Sequence, residues 1–235
     1  MLRITNGIYN VQGLRAGRVY VIEAEDGLTL IDTSIPKSMP QIAKELAKIQ
    51  HSLTDIKRIL ITHAHLDHFG SLAELKRLTG AKTYAPAYYE SDAIEGKKPI
   101  PRPDPAQLTG FSKLAASRMG DQKIEPVEID QRFSEGDRLD EVLPGLEVIA
   151  TPGHTPGQCS FYQREQRLFF AGDAIGRIPL KLGVPPRLVT MDMEEAKRSI
   201  RKFAQLEIDT LCMGHGNPYI GNAGPALKEF VSKLK

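Results

Sequence analysis

Short apolar runs separated by glycine-containing turns predict three strands in the first 35 residues: Ile8–Gln12, Arg18–Ala24 and Leu28–Asp32. Apolar residues then recur at helical spacing, which predicts a helix over Met39–Ile49 with Ser38 as its N-cap. The run Lys57–Thr62 is mostly apolar, as expected for a strand that is buried on both faces. The chain therefore begins with strands and then alternates between helix and strand.

The same alternation continues to the end of the chain. Leucines at helical spacing predict a helix from Leu72 that stops at Gly80, followed by a short strand, Lys82–Ala85. Four further strands are predicted at Leu146–Ala150, Cys159–Gln163, Leu168–Ala171 and Thr210–Met213. Asp192 and Glu195 form a capping-box pattern before one helix, and Gly224–Leu234 predicts a closing helix. The pattern favours an α/β protein with helices outside a mixed sheet.

Two stretches, 84–122 and 175–190, interrupt this scheme. In the first, paired tyrosines are followed by prolines at every second position and then by a helical segment, which predicts a stiff loop and a covering helix. The second stretch, 175–190, is predicted to be an irregular loop. Long insertions are often lids or substrate walls, but the alternative that both are surface embellishments is equally open.

Composition places the chain among ordinary globular proteins. Its 235 residues are 41% hydrophobic and 26% charged, and the net charge is only +2, so we expect no nucleic-acid partner. We also expect no membrane span and no signal peptide, and hence a cytoplasmic protein. The two cysteines, Cys159 and Cys212, lie in apolar strands and are interpreted as small core residues. The oligomeric state remains open.

The strongest chemical signal is the sequence Thr62-His63-Ala64-His65-Leu66-Asp67-His68 directly after a predicted strand. An extended backbone can direct His63 and His65 to the same side, because they are two residues apart. Asp67 and His68 are adjacent where the chain bends, so their side chains diverge, which suits two neighbouring metal ions better than one. A loop that merely solvates three histidines and an aspartate is the alternative.

Three further candidate ligands also follow predicted strands. His154 lies in TPGHTPG, Asp173 in AGD and His215 in GHG. Each of them taken alone is best read as a turn residue. In open α/β sheets, however, ligands collect at one set of strand ends, so these loops can converge on the histidine-rich segment. Imidazole and carboxylate donors without thiolate suit zinc, and also iron or manganese.

Together these motifs resemble the metallo-β-lactamase-fold hydrolases, over nearly the whole chain. The resemblance implies a single domain, residues 1–235, folded as a four-layer αββα sandwich with two metal ions, most simply two Zn²⁺, at one edge. It implies that His63, His65 and His154 bind the first metal, that Asp67, His68 and His215 bind the second, and that Asp173 bridges them. Asp67 and Asp173 are then the carboxylates of the catalytic site. Asp32 resembles the residue that orients a ligand, although a strand-end turn residue is the alternative.

Within this superfamily, several branches fit poorly. His65 replaces the glutamate that is typical of the di-iron flavoproteins, and Gly176 stands where lactonases of acyl-homoserine lactones tend to have tyrosine. We expect neither the helical domain of eukaryotic-type glyoxalase II nor the inserted domain of the RNA-processing nucleases. The remaining expectation is a hydrolase in which a metal-bridging hydroxide opens an ester, lactone or thioester of a small molecule. A β-lactam hydrolase is one alternative, and a persulfide dioxygenase with one iron is the alternative from another class.

Substrate contacts are the least constrained part of the prediction. Arg177 could pair with a substrate carboxylate, and Tyr88 and Tyr89 could supply an apolar wall with a hydroxyl at its edge. In the alternative interpretation, Arg177 solvates a loop and the tyrosines pack under the proline-rich segment.

Overall fold

Two β-sheets packed face to face form the centre of this computed structural model, which describes residues 1–104, 125–178 and 181–234. The seven strands of the first sheet follow chain order: β1 (Leu2–Thr5), β2 (Ile8–Asn10), β3 (Tyr20–Ala24), β4 (Gly27–Ile31), β5 (Ile56–Leu60), β6 (Lys82–Pro86) and β7 (Gln131–Phe133). The spatial order of the second sheet is β13 (Thr210–Met213), β10 (Leu168–Gly172), β9 (Cys159–Gln163) and β8 (Leu146–Ala150). A separate hairpin consists of β11 (Gly176–Ile178) and β12 (Lys181–Gly183).

The α-helices of the described residues are α1 (Met39–Ala47), α2 (Leu66–Phe69), α3 (Leu72–Thr79), α4 (Glu90–Ile94), α5 (Met193–Phe203) and α6 (Ala223–Ser232). Of these, α1, α3 and α4 contribute buried side chains to the outer face of the first sheet. Helices α5 and α6 do the same on the outer face of the second sheet. The order of layers is therefore helix, sheet, sheet, helix.

Three apolar cores separate these four layers, because successive side chains of a strand point to opposite faces. On β3, Val21 packs in the outer core with α1 and α3, while Ile22 packs in the central core between the sheets. On β10, Phe170 faces the central core and Phe169 packs with α5. This arrangement confirms the predicted four-layer αββα sandwich and its single domain.

The local predictions differ from the structure in identifiable places. The N-terminal strand β1 was not predicted, and Ile175–Thr190 is not irregular, since it contains the β11–β12 hairpin and a 3₁₀ turn at Arg187–Val189. Helix α1 ends at Ala47 rather than Ile49, and the side chain of Ser38 forms no capping hydrogen bond. Asp192 does cap α5, accepting a hydrogen bond from the backbone N–H of Glu195. The reciprocal bond of the predicted capping box is replaced, because the N–H of Asp192 donates to the carbonyl of Gly153.

The insertion 84–122 is only partly described. Its first residues complete β6 and form α4, and the predicted covering helix falls in 105–124, outside the described residues. The limits of the domain and the role of both insertions as lids therefore remain predictions.

One edge of the sandwich collects the carboxyl ends of five strands. Strands β4 and β5 are parallel, as are β10 and β13, and β8 runs in the direction of β10 because both are antiparallel to β9. The two sheets are hydrogen-bonded to each other here. The Tyr20 hydroxyl donates to the carbonyl of Met213 at 2.7 Å, and the N–H of Cys159 donates to the carbonyl of Thr62 at 3.1 Å.

Candidate metal centre

The histidine-rich segment leaves β5 at this edge and turns into the short helix α2. His63 is fully buried, and His65 has an extended backbone at the N-cap of α2, where its carbonyl accepts from the N–H of His68. Asp67 and His68 are thus on the first helical turn, while His63 and His65 precede it. The predicted divergence of Asp67 and His68 is wrong, because both residues lie on this turn and their potential ligand atoms are within 4.8 Å of each other.

The three distant candidates come to the same place. His154 follows β8, Asp173 follows β10 and His215 follows β13. Gly214 is required for this convergence, since a Cβ at this position would lie 2.1 Å from Oδ1 of Asp173. Strand direction thus brings together residues that are up to 152 positions apart in the chain.

Seven side chains form two groups that share one carboxylate. Potential ligand atoms lie within 4.8 Å of one another in the group His63, His65 and His154 and in the group Asp67, His68 and His215. The same holds for His63, His68 and Asp173, which link these two groups. Asp173 contacts both groups. Its Oδ2 is 3.3 Å from Nε2 of His154 and 3.2 Å from Nε2 of His215, and its Oδ1 is 3.4 Å from Nε2 of His68.

Hydrogen bonds on the far side of the rings fix the tautomers in the first group. Nδ1 of His63 donates to the hydroxyl of Thr62 at 3.0 Å, because that hydroxyl itself donates to Asp32. Nε2 of His65 donates to the carbonyl of Pro101 at 3.0 Å. Each imidazole then presents an unprotonated nitrogen to the centre, as a metal ligand must.

His154 is oriented in the same way. The hydroxyl of Thr190 donates to the carbonyl of Pro186, so it accepts from Nδ1 of His154 at 3.3 Å. Nε2 of His154 then lies 2.9 Å from Nδ1 of His65, with both lone pairs directed toward each other. A bound cation would stabilise this arrangement.

Buried polar atoms that lack partners provide a second test of metal fit. Among the described residues, Nε2 of His63, Nε2 of His68 and Oδ1 of Asp173 are buried without a hydrogen bond. Such atoms are rare in folded proteins because each carries a desolvation cost. All three point to the shared centre, so the donor set and its unsatisfied atoms both fit transition-metal ions with nitrogen and oxygen ligands.

The first group consists of neutral imidazoles. Burial lowers the pKa of His63 well below its ordinary value and lowers the pKa of His154 to about 3. Burial also lowers the pKa of His65. These three rings are therefore unprotonated at neutral pH and need to lose no proton before they bind a cation.

The second group is a charged cluster when no metal is bound. Burial opposes the protonation of His68, but the carboxylates of Asp173, Asp32 and Asp67 outweigh it and raise the His68 pKa well above its ordinary value. Hydrogen bonds to Asp173 and Asp67 raise the pKa of His215 to about 9. Burial would raise the pKa of Asp173, yet the nearby His68 and His215 hold it well below its usual range. Metal binding in this group must therefore displace protons.

Asp32 connects the end of β4 to both the backbone and a candidate ligand. Its Oδ1 accepts from the N–H of Thr62 at 2.8 Å, and its Oδ2 accepts from Nδ1 of His68 at 2.7 Å. Asp32 is 2% exposed and has a left-handed backbone with φ +62°. The role of Asp32 in orienting a ligand remains a prediction, and its hydrogen bond identifies His68 as the candidate ligand concerned.

Glu90 is the functional residue that the sequence reasoning missed. Its carboxylate is fully buried at the start of α4 and accepts from two backbone N–H groups, those of Ala64 at 2.7 Å and Gly157 at 2.8 Å. Ala64 lies between His63 and His65, and Gly157 lies in the loop that carries His154. One side chain thus holds together the two segments that supply the first group.

We expect Glu90→Gln to weaken metal binding by the first group about 10- to 100-fold, the range typical for a partner that orients metal ligands. The amide keeps one acceptor but places an NH₂ group against the second backbone N–H. Competition with a chromophoric chelator measures the affinity, and Glu229→Gln, on the exposed face of α6, is the control. Unchanged affinity in Glu90→Gln would show that the two loops hold their geometry without this carboxylate.

The candidate centre opens into a cavity of about 740 Å³. Tyr89 lines this cavity, but Tyr88 does not, since it is 69% exposed after β6. Arg177 is also not among the described lining residues. It lies on the β11–β12 hairpin with its guanidinium 5.1 Å from the centre of the Tyr219 ring. The structure therefore brings one of the three predicted substrate contacts to the site.

None of the described helices combines the length and apolar character that a membrane span requires.

Comparisons with known proteins agree with the fold. Residues 13–215 match the profile of the Metallo-beta-lactamase superfamily. The probable metallo-hydrolase YflN of Bacillus subtilis (strain 168) is 30% identical over 244 residues, which cover 95% of this chain and 90% of that protein. The hydroxyacylglutathione hydrolase GloC of Haemophilus influenzae is 29% identical over 182 residues, covering 73% of this chain and 74% of that protein.

Among solved structures, the subclass B3 metallo-beta-lactamase BJP-1 of Bradyrhizobium japonicum is similar over 99% of this chain and 89% of its own, with a TM-score of 0.70 and 28% identity. The profile match contains all seven residues of the candidate centre. The chain therefore belongs to the metallo-beta-lactamase superfamily of metal-binding hydrolases.

Proposed function

We propose that the protein is a dinuclear zinc hydrolase that opens an ester, lactone or thioester bond of a small molecule. The observation that carries this proposal is the pair of ligand groups joined by Asp173. His63, His65 and His154 would hold one ion, and Asp67, His68 and His215 the other. Two such ions supply a Lewis acid for a carbonyl oxygen and make a bound water acidic near neutral pH.

The residues of the chain contribute orientation and charge to this chemistry. Asp173 supplies a buried negative charge between the two groups, with one oxygen near His154 and His215 and the other near His68. His215 is the most exposed of the candidate ligands, with a side chain that is 46% exposed, so it lies where substrate enters. Cys159 and Cys212 are buried, and burial raises the pKa of Cys159 to about 12, so neither thiol acts as a nucleophile.

The choice of scissile bond rests on the relatives. A hydroxyacylglutathione hydrolase at 29% identity favours a thioester or ester, and the subclass B3 metallo-beta-lactamase at 28% identity makes a β-lactam the second candidate.

A hydrolysis screen tests the proposal. Zinc-loaded protein is incubated with p-nitrophenyl esters, γ-lactones, acyl thioesters and penicillins, and product is measured with and without a chelator. We expect at least one ester, lactone or thioester to be hydrolysed, with activity lost on chelation and restored by zinc. Turnover of β-lactams alone would overturn the proposal in favour of the second candidate.

A further inference from the structure

The cavity beside the candidate centre has one polar side and a larger apolar side. The polar side consists of five candidate ligands, namely His65, Asp67, His154, Asp173 and His215. The apolar side is formed by prolines of the 99–103 segment and seven larger side chains: Ile35, Leu66, Tyr89, Ile100, Leu188, Val189 and Met191. Each of these seven side chains is only half-buried. Large apolar side chains that remain half-exposed in a concave site are typical of a ligand pocket.

One apolar wall of the cavity consists of Leu188, Val189 and Met191, and hydrogen bonds attach it to the candidate centre. Leu188, Val189 and Met191 flank Thr190, whose hydroxyl accepts from Nδ1 of His154. The backbone N–H of Met191 donates to the carbonyl of His154 at 3.1 Å. This wall is therefore held at a fixed position beside one candidate ligand.

A second apolar wall, which consists of Tyr89, Ile100 and the neighbouring prolines, is also held by hydrogen bonds. The carbonyl of Pro101 accepts from Nε2 of His65 at 3.0 Å, and the carbonyl of Pro99 accepts from the hydroxyl of Tyr89 at 3.1 Å. Ile100 lies between these two anchored prolines. Both walls thus extend from imidazoles of the first ligand group, so a group bound between them would be adjacent to the reacting atoms.

We propose that this cavity is a subsite for an extended apolar chain attached to the scissile bond, an inference that rests on the proposed function. Among the described lining residues, Arg102 is the only lysine or arginine, and Asp104 adds the opposite charge two residues later. A glutathione group carries two carboxylates and would need several cations, whereas a hydrocarbon chain matches the apolar walls. The substrate class is therefore an alkyl-chain ester, lactone or thioester rather than a glutathione conjugate.

Two substrate series measure this preference and distinguish which side of the bond carries the chain. The first lengthens the acyl chain from acetyl to decanoyl with one leaving group, and the second lengthens the alkyl leaving group of an acetate. We expect kcat/KM to rise by about three- to fourfold per methylene in one of the series, the gain expected when a CH₂ group is removed from water. A flat response in both series, or preference for a glutathione thioester, would overturn the proposal.

A substitution at Leu188 in the apolar wall, with a matched control at an exposed leucine, tests whether the chain-length preference arises in this cavity. Leu188→Asp places a carboxylate in the cavity and should lower the ratio of kcat/KM for the longest chain to kcat/KM for the acetyl substrate by about tenfold or more. Leu78→Asp makes the same change at an exposed leucine of α3, and we expect it to leave both substrates unaffected. Equal loss for short and long chains in Leu188→Asp would contradict a chain subsite.

A binding assay keeps this proposal separate from the proposed function. The neutral fluorescent probe N-phenyl-1-naphthylamine should bind the wild-type protein and be displaced by decanol but not by ethanol. Leu188→Asp should weaken probe binding and Leu78→Asp should not. If the probe binds in this way while the screen detects no hydrolysis, the apolar subsite stands and the reaction is wrong. If hydrolysis is found without probe binding or chain preference, the subsite is wrong and the reaction stands.

Discussion

Asp173→Ala should abolish turnover while the protein remains folded. The residue is 8% exposed, and its Oδ2 lies 3.3 Å from Nε2 of His154 and 3.2 Å from Nε2 of His215. Removal of the carboxylate deprives both ligand groups of their shared ligand. It also removes the negative charge between the two bound cations, so they repel each other more strongly. Since a metal ion supplies several kcal/mol of transition-state stabilisation, we expect kcat to fall by about 10³-fold or more. The apolar cores lie elsewhere, so circular dichroism should be unchanged.

His51→Ala is the control for this variant. His51 follows α1, and its ring nitrogens lie 3.5 Å from the carboxylate of Glu23 and 3.2 Å from that of Asp55, all on partly exposed side chains. Such surface pairs contribute little, so the free energy of unfolding should change by less than about 1 kcal/mol and activity should remain normal. If Asp173→Ala retained two metal ions and comparable hydrolysis, Asp173 could not be the shared ligand.

Asp32→Asn should selectively impair the second ligand group. An amide offers one acceptor oxygen where the carboxylate offers two. If the amide oxygen keeps its hydrogen bond to the N–H of Thr62, the amide NH₂ group faces Nδ1 of His68. Nδ1 must then accept a hydrogen bond, so the neutral His68 ring carries its proton on Nε2, the atom that faces Asp173. A ring in this tautomer cannot ligate through Nε2. Asparagine accepts the left-handed backbone at this position, so the fold should persist.

Isothermal titration calorimetry with a metal salt measures the affinity of each ligand group for its ion. We expect Asp32→Asn to bind the second ion about 10- to 100-fold more weakly and to retain the affinity for the first. Asp26→Asn, at an exposed turn residue that pairs with Arg58, should retain both affinities. An equal loss at both groups would assign Asp32 a general structural role instead of a specific one through His68.

The sequence predicted the candidate centre because its signals are local. His63, His65, Asp67 and His68 are contiguous with one strand, and His154, Asp173 and His215 each follow another strand within a few residues. Strand direction then determines that these ends meet, which is a property of the fold class and not of individual side chains. The four-layer architecture followed from the resemblance alone, since the alternation of strands and helices predicted only helices outside one mixed sheet, and the strands form two packed sheets.

Contacts between distant segments could not be predicted in this way. Glu90 reaches Ala64 and Gly157, which are 26 and 67 residues away, and the sequence predicted no helix at this position in the first insertion. Its complete burial was the missing information. The position of Arg177 on the ring of Tyr219 likewise depends on the β11–β12 hairpin, which the irregular sequence of that segment did not indicate.

The metal content of protein purified without added metal tests the central claim most directly. Elemental analysis by inductively coupled plasma mass spectrometry, combined with an accurate protein concentration, gives the number and identity of ions per chain. We expect the count to approach two, because two ligand groups share Asp173, and we expect zinc to predominate, because all the donors are imidazoles and carboxylates. One tightly bound iron, with no second ion taken up on titration, would contradict the dinuclear hydrolase and favour a persulfide dioxygenase.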